Sequence, residues 1–393
     1  MAQDARGVIL NILGEAVRPP HVRVPQGIQS LPDYERQAQH HVEARVWAHI
    51  QGGADQHLSL RHNRLAFDAW QLVPSPVVDL SHAHTRVTLF DEEFDSPILL
   101  APVAYQKLVH PDGELATIQA ATAMRVAMVV STLASCTLED IASVAEATAR
   151  ELGQGAPRWF QLYLQPERAH TLELVRRAEA AGYTALVWTI DASIKRSAIE
   201  LPPGVRAANL RHLPEAPPRP GIVGPIIFGT PLVHQVPDWD DLAWLRSHTR
   251  LPLVVKGVLS PTLARRLVAA GADGIIVSNH GGRVLDGAVP PLDMVSEIID
   301  AVGTSVPVLL DGGIRWGTDI VKALALGARA VLVGRPQLHA LAVAGMPGVA
   351  HLLYLLKAEL ELAMAQLGCA SIAELGPHVL RRCRAQPAAF SGA

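Results

Sequence analysis

The ten residues SNHGGRVLDG, Ser278 to Gly287, set a histidine and an arginine three positions apart across two glycines, directly after the apolar run GIIV. An imidazole can remove a proton near neutral pH, a guanidinium can grip a carboxylate or steady an oxyanion, and the glycines let the chain turn so that both face one ligand. Polar groups recur at the ends of the other apolar runs: Tyr105 and Gln106, Ser131 and Thr132, Gln161 and Tyr163, Thr189 and Asp191, Lys256, Asp311 with Arg315, and Gly334 with Arg335. Ionisable groups at so many run ends are a costly way to finish a core, so the set predicts a site. Asp191 suits the orientation of a protonated His280, and Lys256 could neutralise negative charge developing on a cofactor. DGGIR (311–315) and GRP (334–336) offer glycine N–H groups, flanking arginines and nearby helix starts, the usual barrel cradle for a phosphate. Together these residues describe oxidation of a carbinol beside a carboxylate.

The elements that must position them follow from periodicity. PILLAPVAY (97–105), AMVVST (127–132), RWFQLYL (158–164), ALVWTID (185–191), LPLVVKG (251–257), GIIVSNH (274–280), PVLLDGG (307–313) and AVLVGRP (330–336) are too continuous for half-exposed strands and alternate with amphipathic helical stretches. Eight such units predict a closed (β/α)8 TIM barrel, an α/β fold. An open doubly wound sheet is the alternative, disfavoured because no GxGxxG follows the first strand. Gly182, Gly271 and Gly327 read as helix C-terminal caps feeding the next strand. Residues 31–50 have helical spacing, giving an N-terminal helical segment that stops at Gly52 and Gly53. The proline-rich stretch from Asp191 to Pro237 reads as a long loop after strand four, and the apolar stretch 350–368 as a helix on the outside of the barrel. The expected organisation is an N-terminal arm (1–30), a barrel domain (31–370) and a C-terminal tail (371–393).

Composition narrows the partners. A net charge of −3 over 393 residues supplies no basic face for nucleic acid or an anionic membrane, leaving small molecules. The three cysteines Cys136, Cys369 and Cys383 form neither a disulfide framework nor a CxxC pair. No signal peptide is indicated and no apolar run reaches the ~18 residues of a membrane span, so the expected location is cytoplasmic. No metal site is expected: His40, His41, His82 and His84 lack a third ligand and read as surface residues. Cys136 reads as core packing, and Trp239 and Trp244 likewise.

SNHGGRVLDG closely resembles the active-site motif of the FMN-dependent 2-hydroxy acid oxidase and dehydrogenase family, which includes glycolate oxidase, lactate oxidase and mandelate dehydrogenase. APVAYQKLVHPDGE (101–114), FQLY (160–163), TID (189–191), LVVKG (253–257), LDGGIRWGTDIVKALALGA (310–328) and VGRP (333–336) extend the resemblance over most of the chain. It implies that His280 is the general base, with Asp191 as its partner, and that Arg283 and Tyr163 hold the substrate. It also implies an FMN site made by Pro102, Val103 and Ala104 through their backbone, by Ser131, Gln161, Thr189, Lys256, Ser278 and Asp311, and by Gly312, Gly313, Arg315, Gly334 and Arg335 near the phosphate. Whether the substrate Cα hydrogen leaves as hydride or proton stays open; either route uses His280 as base. A homotetramer is implied as well.

Three departures bear on the substrate. Aligning GGADQ (52–56) puts Ala48 where the family has a carboxylate-binding tyrosine. DASIKRSAIE (191–200) lacks the family's arginine-glutamate pair in register, leaving Lys195 or Arg196 as substitutes. Leu133 stands where glycolate oxidase often has an aromatic residue. Two lost rings, each worth ~150–250 Å² of contact, predict a wide, apolar pocket around Leu133 and Ala48 for a bulky or aryl 2-hydroxy acid. The alternatives are an FMN barrel isomerase or other non-oxidase, an oxidase of a substrate with a masked carboxylate, and a flavin-binding protein without turnover.

Overall fold

The computed structural model describes residues 8–193, 201–202, 204–213, 227–229, 233 and 236–383. Eight parallel strands close a barrel in chain order: β1 (Ile98–Leu100), β2 (Ala127–Ser131), β3 (Arg158–Leu162), β4 (Ala185–Thr189), β5 (Leu253–Val258), β6 (Gly274–Val277), β7 (Val308–Asp311) and β8 (Ala330–Val333). Seven lie within the eight apolar runs and β5 extends one residue past its run, to Val258, and the (β/α)8 expectation holds. Gly182, Gly271 and Gly327 take the left-handed conformation at their helix ends.

Side-chain alternation along the strands separates two cores. Leu99, Val129, Trp159, Val187, Val254, Ile276, Leu309 and Leu332 point inward and fill the barrel. Their sequence neighbours, such as Val130, Phe160, Leu186, Val255 and Leu310, belong to the larger core between strands and helices. Phe90 and Phe94 pack on Trp159, their ring centroids 5.6 and 6.0 Å away, at one end of the inner core. The period of two then has a consequence for chemistry. The next inward position after Val129, Trp159, Val187, Val254, Ile276 and Leu309 is Ser131, Gln161, Thr189, Lys256, Ser278 and Asp311, so the polar set converges at the C-terminal mouth.

Three helices precede the barrel: α1 (Leu31–Ala38), α2 (Ala44–Gln51) and α3 (Leu58–Asp68). The single helix expected over 31–50 is therefore two, broken near His41. That residue is not on the surface; it is buried, with Nδ1 3.0 Å from the Pro19 carbonyl oxygen and 3.3 Å from that of Arg18. Seven further helices, α4 (Glu114–Ala123), α5 (Leu138–Leu152), α6 (Arg168–Ala180), α7 (Trp239–His248), α8 (Pro261–Ala269), α9 (Pro291–Val302) and α10 (Gly317–Ala325), surround the strands. The last, α11 (Arg335–Leu367), kinks at Ala344 and Gly345. An 18-residue window of α11 is apolar enough to cross a membrane, contrary to the reading that no run reaches that length. Most of it is buried, and α11 packs against α1, α4 and α10, which explains its composition.

Among the described residues, parts of the segments set apart as arm and tail contact the rest of the chain. The His21 amide donates to the Val343 carbonyl, and Leu380–Arg382 pairs antiparallel with Trp70–Leu72. Trp239 is exposed rather than core, with the Arg266 guanidinium 4.1 Å over its ring. Trp244 is partly buried against the core, and Cys136 is buried as expected.

Candidate active site

At the mouth, His280 Nδ1 lies 2.9 Å from Asp191 Oδ1. The imidazole follows a left-handed turn (φ 56°) and lines a cavity of about 360 Å³. Asp191 stands one position past the inward Thr189–Ile190 step, and it fits only because residue 257 is glycine: a Cβ there would lie 2.5 Å from the Asp191 Cγ. Burial pushes the Asp191 carboxyl up, but the charge and hydrogen bond of His280, with Lys256 beyond, hold it below the ordinary carboxylate value. It remains an anion that can support a protonated imidazole.

The two glycines of the motif also have a spatial reason. Gly282 has φ 75°, and a Cβ on it would meet the Leu60 nitrogen at 2.5 Å, so only glycine lets α3 approach. Asp286 secures the same junction, its carboxylate accepting from the amides of Gln56 and Ser59, both at 2.9 Å, at the start of α3. Asn63 and Asn279 exchange hydrogen bonds of 2.8 and 2.7 Å nearby.

Lys256 is buried with its Nζ 2.8 Å from both Ser278 Oγ and Asp311 Oδ2. Burial favours loss of its proton, yet Asp311 and Asp191 outweigh that and raise its pKa, so the ammonium persists. Ser278 lies behind this pair, its Oγ also accepting from the His280 amide at 3.0 Å. Tyr163 lines the cavity; burial and then the Asp191 charge raise its phenol pKa, so it is a neutral hydrogen-bond donor.

Pro102, Val103, Ala104, Ser131, Leu133, Gln161, Thr189, Asp311, Gly312, Gly313, Arg315, Gly334 and Arg335 also line the cavity, alongside Lys256, Arg283 and His280. The residues expected at the site thus come together, with two exceptions: Ser278 is buried behind Lys256 and outside the cavity wall, and Ala48 is off the wall as well. Ala48 is exposed and outside the cavity wall, while His49 and Ile50 line it. A one-residue shift in the alignment to GGADQ accounts for this, because adjacent helical residues point ~100° apart. Lys195 and Arg196 lie outside the described residues. Sequence reasoning gave no role to His49, whereas Tyr105, counted among the polar strand ends, does line the cavity, its amide donating to the Leu133 carbonyl at 3.1 Å. Cys136 is no nucleophile: burial, then Glu114, pushes its thiol up to about 11.

The lining fits FMN. Ser131 Oγ and the Thr132 amide both donate to Gln161 Oε1, leaving Gln161 Nε2 without a protein partner. Thr189 Oγ1 and Asp311 Oδ1 are buried and unpartnered too. Such atoms cost ~1–3 kcal/mol each unless a ligand satisfies them. The carbonyl and N–H edge of a flavin and the hydroxyls of its ribityl chain are suitable partners. Farther along, burial and then the charges of Arg283 and Arg315 draw the Arg335 pKa down to about 9, a crowding that an anion relieves. The start of α10 is already capped, since Asp319 accepts from the amides of Arg315 and Trp316 at 2.9 and 3.0 Å. The start of α11, at Gly334 and Arg335, carries no side-chain cap and suits a phosphate better.

The family model for FMN-dependent dehydrogenases matches residues 38–382. The chain is 50% identical over 364 residues to an L-lactate oxidase of Alicycliphilus denitrificans, covering 91% of this chain and 97% of that protein. It is 43% identical over 350 residues to a 4-hydroxymandelate oxidase of Amycolatopsis orientalis, covering 87% and 95%. A structure of mandelate oxidase with (S)-2-phenylpropionate aligns with a TM-score of 0.79 at 40% identity, over 90% of this chain and 98% of that one.

Proposed function

The chain belongs to the FMN-dependent dehydrogenase family and is an oxidoreductase acting on a 2-hydroxy acid, and we propose that its preferred substrate is short, of the size of lactate. The observation that carries this reading is the refilled wall: Tyr105 stands beside Leu133, and His49 takes the place assigned to Ala48. With a phenol and an imidazole among the lining side chains, less room is left for an aryl group. The sequence identity to the L-lactate oxidase supports the same choice. Leu133 favours a second reading, in which a larger aryl acid is accepted as a slower substrate.

In this reading Arg283 and Tyr163 hold the substrate carboxylate and place its hydroxyl at His280. His280 takes the hydroxyl proton, and Asp191, 2.9 Å from Nδ1, keeps the imidazole oriented and stabilises its charged form. Bound FMN supplies the two-electron acceptor, regenerated by oxygen or another acceptor. Lys256, Gln161, Thr189, Ser131 and Asp311 would hold its ring and ribityl portions, with Ser278 supporting Lys256 from behind, and Arg315 and Arg335 would hold the phosphate.

Initial rates with glycolate, both lactate enantiomers, 2-hydroxybutyrate and mandelate test the choice. The highest kcat/KM is expected for a lactate enantiomer, and a preference for mandelate overturns it. We also propose a homotetramer in a reducing cytoplasm, a location that suits the buried thiols of Cys136 and Cys369. Light scattering checks the assembly.

A further inference from the structure

Glu114 is fully buried at the first position of α4, outside the cavity wall. Its Oε1 accepts from the Gln106 amide at 3.0 Å, the Ser135 amide at 2.9 Å and the Ser135 hydroxyl at 3.1 Å. Its Oε2 lies 3.1 Å from the same hydroxyl, and the Ser135 Oγ in turn accepts from the Lys107 amide at 3.0 Å. One carboxylate therefore joins the loop after β1, at Gln106 and Lys107, to the loop after β2, at Ser135.

Each loop carries a residue of the cavity wall beside this junction: Tyr105 precedes Gln106, and Leu133 stands two positions before Ser135. Tyr105 has φ 54°, a left-handed conformation that a residue with a side chain keeps only where its surroundings fix it. Its amide donates to the Leu133 carbonyl at 3.1 Å, and Glu114 holds the amide of the very next residue. Without an acceptor at 114, two buried amides and a hydroxyl lose their partner, and the two loops lose the side chain that joins them. We propose that Glu114 is a positioning residue for substrate selection: by tying the loops together it sets the spacing of the Tyr105 ring and the Leu133 side chain, and with it the size of 2-hydroxy acid side chain that the cavity admits. This rests on the reading of a short 2-hydroxy acid substrate bounded by that wall.

The test is calorimetric titration of the FMN-loaded wild type, Glu114→Ala and Glu114→Gln with pyruvate and with phenylglyoxylate, the 2-oxo products of a short and an aryl substrate. Anaerobic flavin reduction at saturating lactate is followed alongside. In Glu114→Ala the affinity for phenylglyoxylate relative to pyruvate is expected to rise by about fivefold or more, on the scale by which an apolar pocket discriminates size. The KM for lactate rises while flavin reduction at saturation stays within about twofold, because His280 and Asp191 follow other strands. Glu114→Gln restores the wild-type ratio, since its amide oxygen accepts from the same two backbone amides and its NH2 donates to the Ser135 Oγ. An unchanged ratio in Glu114→Ala overturns the proposal, as does an equal loss for both ligands, which would make Glu114 a residue of general stability only. If Glu114→Ala does not fold, Ser135→Ala, which removes the hydroxyl between Glu114 and the Lys107 amide, carries the same comparison, and an unchanged ratio there overturns the proposal too. A wild type that prefers phenylglyoxylate sinks the short-substrate reading alone, because the role of Glu114 is read from the change in ratio between variants.

Discussion

Asp191 and His280 meet through a 2.9 Å contact between Oδ1 and Nδ1, with the second carboxylate oxygen of Asp191 buried and unpartnered. Asp191→Asn keeps the shape and removes the charge. Anaerobic flavin reduction is expected to slow by ~10²-fold or more, since the acid no longer stabilises the imidazolium. The same pair carries a pH signature. A carboxyl depressed in the folded state contributes stability that is present above its unfolded value, near ~3.9, and is lost as pH falls through the folded one. The melting-temperature advantage of the wild type over Asp191→Asn should therefore shrink on acidification below about pH 4. A constant gap down to low pH would contradict it.

Lys256→Met leaves Asp311 without its partner at 2.8 Å, in a buried setting where an orphaned charge costs ~3–5 kcal/mol. The variant is expected to purify with less than one flavin per chain and to bind added FMN at least tenfold more weakly (about 1.4 kcal/mol). Full flavin occupancy with unchanged affinity would remove Lys256 from the cofactor site.

Gly282→Ala forces a Cβ to within 2.5 Å of the Leu60 nitrogen at φ 75°. The left-handed conformation alone costs ~1–2 kcal/mol for a residue with a Cβ, and the clash with backbone adds to it. A clearly lower melting temperature is expected; an unchanged one would mean that α3 does not pack on the motif as described.

Tyr105→Ala should open the wall beside Leu133. The ratio of kcat/KM for mandelate to that for lactate is expected to rise by ~10-fold or more, the scale on which an apolar pocket discriminates size. No change in the ratio would show that Tyr105 does not limit the side chain.

The barrel was legible because its strands are buried on both faces and read as unbroken apolar runs, six of them ending in a polar residue at an inward position. Most of the site was legible for the same reason: Gln161, Thr189, Lys256, Ser278 and Asp311 lie two residues beyond an inward apolar one. What stayed hidden depends on helix register and tertiary packing. His49 and Ala48 differ by one position on a short helix, and only its docking on the Gly281–Gly282 turn decides which faces the ligand. The break between α1 and α2 follows from the burial of His41 against the segment at Arg18 and Pro19, a contact no local pattern announces. The use of Asp286 at the start of α3, more than 220 residues earlier, is a purely tertiary fact.

The most direct measurement is anaerobic stopped-flow mixing of the FMN-loaded wild type and His280→Ala with lactate, following the flavin absorbance. The wild type should bleach, and His280→Ala should stay yellow, with FMN bound and its reduction slowed by ~10²–10⁴-fold, the usual contribution of a general base. Bleaching of His280→Ala at close to the wild-type rate would remove the imidazole from the chemistry and contradict the account.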